Sequence, residues 1–362
     1  MRPTPRTPIQ NAAPPVRSGL AGLSPAYFGM IMATGIVSIA GFLLGLPRVA
    51  HGLFALNVVL YLVLWTLYLA RLARYPGAVW RDMNDHLRGP GFFTVIAATS
   101  VLGSQCLLQA GNAAMALLLW ALAIALWLVF IYAIFTLLTV KRDKPTLDRG
   151  INGGWLLAVV ATQSIAVLSA LLAGHIGPQW QLQMNFLALS MWLWGGMLYI
   201  WLMALIFYRY TFFPLRPGDL SPPYWINMGA MAISTLAGSL LIDNAAQAPF
   251  LMALRPFLAG FTVLYWATGT WWIPMLLALG VWRYVCQRFP MRYDPLYWGA
   301  VFPLGMYAAS THEMVRAMDV GFLDWLSPLF LYVAMAAWLA TFVGVFRDAL
   351  RYVRARRETL PR

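Results

Sequence analysis

The sequence predicts an all-α integral membrane protein of ten transmembrane helices, arranged as five tandem helical hairpins with both termini cytoplasmic. Ten apolar stretches, at 24–46, 52–74, 91–112, 113–140, 151–174, 183–208, 224–244, 253–282, 296–314 and 326–346, are near or above the roughly twenty residues that a helical span needs. Hydrophobic residues make up 61% of the 362 and charged residues only 10%, which excludes an ordinary soluble domain. With both termini inside, 22 of the 25 Lys and Arg residues fall on the cytoplasmic side and only Arg48, Arg255 and Arg316 outside, as the positive-inside rule requires.

Residues 1–23 are polar and Pro-rich, with Arg2, Arg6 and Arg17. They lack the short apolar core of a secretory signal and read as a disordered cytoplasmic tail that the mature protein retains. A transmembrane domain follows at 24–349, then a basic cytoplasmic tail at 350–362. The net charge of +13 is scattered over short loops and that tail, which fits orientation in a cell inner or plasma membrane and contact with anionic lipid rather than nucleic acid.

Each odd-numbered span opens with similar punctuation: Ser24-Pro25-Ala26-Tyr27-Phe28, Gly89-Pro90-Gly91-Phe92-Phe93, Gly150-Ile151-Asn152-Gly153-Gly154-Trp155, Ser221-Pro222-Pro223-Tyr224-Trp225 and Asp294-Pro295-Leu296-Tyr297-Trp298. Proline suits a first helical turn, whose N–H has no intrahelical partner, and the aromatics fall at headgroup level. The third copy has glycine in place of proline. A repeat of about 60 to 73 residues is the length of one hairpin and predicts five hairpins in parallel orientation. Gly, Ser, Thr, Asn and Gln number 36 in the odd spans and 19 in the longer even set, so the odd helices form the inner ring and the even ones face lipid.

Several functions are excluded. Cys106 and Cys286 fall on opposite sides and cannot pair, and neither they nor His51, His86, His175 and His312 form a metal-ligand pattern. Gly153-Gly154 follows no strand, so no dinucleotide site and no cofactor is expected. No nucleophile with a base at shared depth is present, which argues against an enzyme. Ionisable residues are missing from the middle of every span, although Asp243, Arg255 and Glu313 lie near outer ends. That pattern speaks against a carboxylate-relay pump or a cation path. The inner mouth is positive, with five helix N-termini and with Arg88, Arg149, Arg216 and Arg292 shortly before four of the odd spans. Those arginines also satisfy the positive-inside rule whatever the protein carries. A neutral conduit with a positive mouth is an anion path.

Gly29-Met30-Ile31-Met32-Ala33-Thr34-Gly35-Ile36-Val37-Ser38, Ala161-Thr162-Gln163-Ser164 and Phe302-Pro303-Leu304-Gly305-Met306-Tyr307 resemble the tellurite-resistance and dicarboxylate transporter family, which includes the plant slow anion channels and the yeast malate and sulfite transporters. The resemblance covers all ten spans. It implies a central pore formed by the odd helices, an assembly that is usually a homotrimer, and a phenylalanine of the ninth helix plugging the pore. Phe302 best matches that plug, and Pro303 directly after it would kink the helix. Phe28 and Tyr307 are competing occluders. Thr34, Ser38, Thr99, Ser100, Thr162, Gln163, Ser234 and Thr235 lie at middle depth on odd spans as candidates to line the pore, although a membrane Ser or Thr can equally bond back to its own helix. The expected function is movement of small inorganic or organic anions through a pore in each protomer. The alternative is a proton-coupled carrier of a C4-dicarboxylate, sulfite or a tellurium oxyanion.

Overall fold

The computed structural model describes residues 19–290 and 294–358. Arg292 and residues 1–18 and 359–362 of the expected tails lie outside that range. The long helices are α1 (Gly29–Leu43), α2 (Pro47–Arg74), α3 (Phe93–Ala110), α4 (Ala113–Val140), α5 (Leu157–Ala173), α6 (Gly177–Phe212), α7 (Ile226–Asp243), α8 (Pro249–Val281), α9 (Trp298–Met318) and α10 (Leu326–Glu358). No strand occurs among the described residues. Nine helices among them are long and apolar enough to cross a membrane by length and composition. The helix that falls short is α9, which carries His312, Glu313 and Arg316 in its last turns. The loop after α2 holds a short helix, Pro76–Met83, and α10 runs beyond the domain boundary expected at residue 349.

Each odd helix is entered through a 3-10 turn at its opening motif. Ser24 Oγ accepts the Ala26 N–H at 3.3 Å and Asn152 Oδ1 accepts the Gly154 N–H at 2.8 Å, so side chains satisfy amides that the helix cannot. The missing proline of the third copy has a steric cause. A Cβ on Gly153 would meet the Pro223 carbonyl oxygen and lie 2.7 Å from both Pro223 C and Tyr224 Cα, so the third opening turn packs directly on the backbone of the fourth. At the other end, Gly111 terminates α3 with φ 61°, the left-handed conformation that glycine adopts without strain.

The five odd helices close a cycle of contacts, α1 on α3, α3 on α5, α5 on α7, α7 on α9 and α9 back on α1. Their 3-10 turns touch in the same cyclic order, so all five begin at one mouth and run parallel. Each also packs on the long helix that follows it. Almost every residue of α1, α3, α5 and α7 is buried, whereas the even helices expose Val63, Leu118, Ile200, Leu264 and Val343. Apolar side chains on that outer surface suit lipid.

Candidate functional site

All five odd helices line one cavity of about 140 Å³ toward the C-terminal end of the ring. On α1 its wall is Ile36, Ile39 and Leu43, and on α3 it includes Val101, Ser104 and Leu108. On α5 and α7 the same spacing gives Ser164, Val167, Leu171 and Ile233, Leu236, Leu240, and α9 supplies Met306 and Glu313. Counted from the residue that opens each helix, Pro25, Pro90, Gly153, Pro222 or Pro295, the residue eleven positions on lines the cavity in all five, and on α3 Ser100 lines it one position earlier. Steps of three and four keep a stripe on one helical face, so the repeat preserves both register and facing.

One turn earlier on the same faces lie Met32, Ala97, Val160, Gly229 and Phe302. All five are buried, and Phe302 is the single ring in a layer otherwise made of medium and small side chains. Pro303 lies inside α9 and removes the N–H that would bond the Gly299 carbonyl. The other two candidate occluders turn toward the periphery. Phe28 packs edge-on against Tyr61, Trp65 and Tyr68 of α2. Tyr307 shares a 2.8 Å hydrogen bond with Thr270 of α8 and lies against Trp266 and Phe330.

Of the eight polar candidates, Ser100 lines the cavity, and its Oγ finds no hydrogen-bond partner among the described residues. Thr34 accepts the indole N–H of Trp338 at 2.9 Å and Thr162 that of Trp127 at 2.9 Å, while Thr99 shares a 2.9 Å bond with the Tyr61 hydroxyl. Each of these threonines stands two residues before Ile36, Val101 or Ser164, about 200° around the helix at 100° per residue, and faces the outer helices. Ser38 donates to the Ala50 carbonyl at 2.7 Å, and Gln163 donates to the Trp192 carbonyl at 3.0 Å. Ser234 and Thr235 bond back to Ala230 and Met231. Aromatic donors thus tie the outer helices to the ring, with Trp192 reaching the Ser234 carbonyl and Trp266 the Thr311 hydroxyl as well.

The N-terminal mouth is a wider cavity of about 620 Å³ where Arg149 and Arg216 meet, together with Arg209, Asp148 and Asp219. A hydrogen bond with the Thr146 side chain holds the Asp148 carboxyl below the usual carboxylate range. Arg88 is engaged elsewhere, 2.8 Å from Asp82, which Arg71 also contacts at 2.5 Å. Arg209 escapes a reading by sequence because its partners are remote. It donates from Nε to the Asp148 carbonyl at 2.8 Å and from Nη1 to the Tyr224 hydroxyl at 3.1 Å. Ser104, Ser164, Glu313 and Arg316 also line the C-terminal cavity without having been singled out as pore candidates. The signal that finds the first three is the constant register from the opening motifs.

Among the described residues no group of His, Cys, Asp and Glu is placed to hold a metal ion. Residues 22–346 match the family model described as voltage-dependent anion channel. A transporter of Methanocaldococcus jannaschii, itself uncharacterized, is 25% identical over 91% of this chain and 95% of its own length. An uncharacterized membrane protein of Mycobacterium tuberculosis is 39% identical over 41% of this chain and 75% of its own. A sulfite efflux pump of Arthroderma benhamiae is 23% identical over 89% of this chain and 90% of its own.

Proposed function

The chain belongs to the voltage-dependent anion channel family, and on that premise we propose that it passes small anions along the axis of its five-helix ring, with Phe302 as the closing residue. The position of Phe302 carries the reading. It lies one turn before Met306 of the C-terminal cavity and six residues after Leu296 of the N-terminal one, buried between the two. A ring filling a narrow apolar neck excludes water and ions until it moves. Pro303 loosens the helix where the ring attaches.

Ten spans with cytoplasmic termini complete this proposal, α9 being held among nine more apolar helices. The N-terminal mouth then faces the cytoplasm, where Arg149, Arg216 and five helix N-termini attract anions, and Arg88 adds positive charge to the same face. Ser100 offers a hydroxyl on the path, Thr34, Ser38, Thr99, Thr162 and Gln163 tie the ring to the outer helices around it, and Ser234 and Thr235 bond within α7. Assembly as a homotrimer would bury part of the apolar outer surface.

A second reading, a proton-coupled carrier, is favoured by Glu313, an acid in the wall of the path, and by the similarity to a sulfite efflux pump. Uptake into liposomes separates the two. Nitrate or chloride flux that follows its own gradient without a pH difference supports the channel. Malate or sulfite uptake that requires a proton gradient, with no nitrate or chloride flux, supports the carrier.

A further inference from the structure

We infer that Glu313 links anion occupancy of the C-terminal cavity to protonation, so that the cavity takes up one small monovalent anion together with one proton. This rests on the reading of the ring as an anion path. Two chemically opposed groups share the cavity wall. Ser100 is buried, and its hydroxyl makes no hydrogen bond to any described residue. The other two serines there are already committed, Ser104 donating to the Ser100 carbonyl at 3.1 Å and Ser164 to the Ala161 carbonyl at 2.7 Å. A buried donor left unpaired is costly, and an acceptor in the cavity relieves that cost. The volume, about 140 Å³, is that of four to five waters at roughly 30 Å³ each. That leaves room for a chloride or nitrate ion.

Glu313 works against such an anion. It is buried, and its Oε2 lies 2.6 Å from Arg316 Nη2. The same nitrogen lies 2.8 Å from Asp243 Oδ2, so two carboxylates share one guanidinium and leave one net negative charge beside the cavity. Like charges repel strongly where water is scarce. Protonating Glu313 removes that charge and leaves the Arg316–Asp243 pair intact.

The groups that act on Glu313 are few. Arg316 comes from its own helix and Asp243 from α7, while the stripes of α1, α3 and α5 bring only apolar and hydroxyl side chains. The other helices packed on α9, α8 and α10, add no charge that bears on it. His312 is adjacent in sequence and feels Arg316 and Asp324, which makes it the control. No covalent bond changes: the proton binds the Glu313 carboxylate and the anion accepts from the Ser100 hydroxyl.

The test is nitrate binding to the purified full-length protein, followed by tryptophan fluorescence from pH 5 to pH 8. The apparent Kd of the wild type should tighten as pH falls, by up to about tenfold per pH unit, the limit for one linked proton. Glu313→Gln should bind at every pH with the acid-limit affinity of the wild type, and His312→Gln should keep the wild-type slope. Ser100→Ala should weaken binding without changing the slope. Should Glu313→Gln misfold, proton uptake by the wild type on nitrate addition, read with an indicator dye, decides in its place. Nitrate binding that ignores pH, a slope that survives in Glu313→Gln, or no proton uptake overturns the inference while the anion path stands. Absence of nitrate binding and nitrate flux at every pH removes both.

Discussion

A Cβ built on Gly229 of α7 would lie 2.6 Å from Cγ of Pro303 on α9. The two helices therefore meet where only a glycine lets the proline ring seat, and the backbone of α7 supports the residue next to Phe302. Gly229→Ala forces that contact apart, and overpacking of this kind costs about 1–3 kcal/mol. Its melting temperature should fall by several degrees. Gly260→Ala, where nothing lies within 4 Å of the new carbon, should melt like the wild type.

Gly153→Ala should be more severe. Its obstacle is the backbone of Pro223 and Tyr224, which cannot swing aside as a side chain can. The yield of monodisperse protein on size-exclusion chromatography should collapse for Gly153→Ala. It should be unchanged for Gly52→Ala, whose added carbon meets nothing within 4 Å.

The parts of the molecule that were legible in the sequence are those with local causes. The opening motifs Ser24-Pro25 and Ser221-Pro222 mark helix starts because proline acts within one turn, and the Ser24 hydroxyl caps the first of them. The small residues of α1 and α7 separate inner from outer helices because close packing needs them. Facing was not legible from depth alone, since Thr34, Thr99 and Thr162 share the depth of Ser100 yet point away from the axis. Counting from Pro25, Pro90 and Gly153 would have sorted them. The roles of Arg209 and Gly153 depend on loops far away in sequence, Asp148 for one and Pro223 for the other, and no local pattern announces such meetings.

Asp82→Asn should destabilise the protein strongly. Arg71 is fully buried against Asp82 at 2.5 Å, and removing one partner of a buried pair costs about 3–5 kcal/mol because the other charge is left uncompensated. Arg88→Gln touches the same carboxylate from a side chain that is 42% exposed and should cost far less. Thermal melts of the two variants side by side check the ordering.

Acid should destabilise the loop around His86. Burial, with the nearby Lys141 charge adding to it, holds its imidazole below the ordinary histidine range. The unfolded chain therefore takes up the proton first as pH falls, and the stability tied to the neutral ring is lost between the ordinary value and the lower folded one. Melting temperature should drop from pH 7.5 to pH 5.5, and the drop should be smaller in His86→Gln.

Closure of an anion path by Phe302 is measurable as voltage-clamped current through purified protein in planar bilayers. Under a chloride or nitrate gradient, Phe302→Ala should carry a larger current than the wild type, about tenfold or more if closure of the neck costs at least 1.4 kcal/mol. That current should reverse near the anion equilibrium potential. Equal currents from both forms, or none from either under any gradient, would mean that Phe302 does not close an anion path.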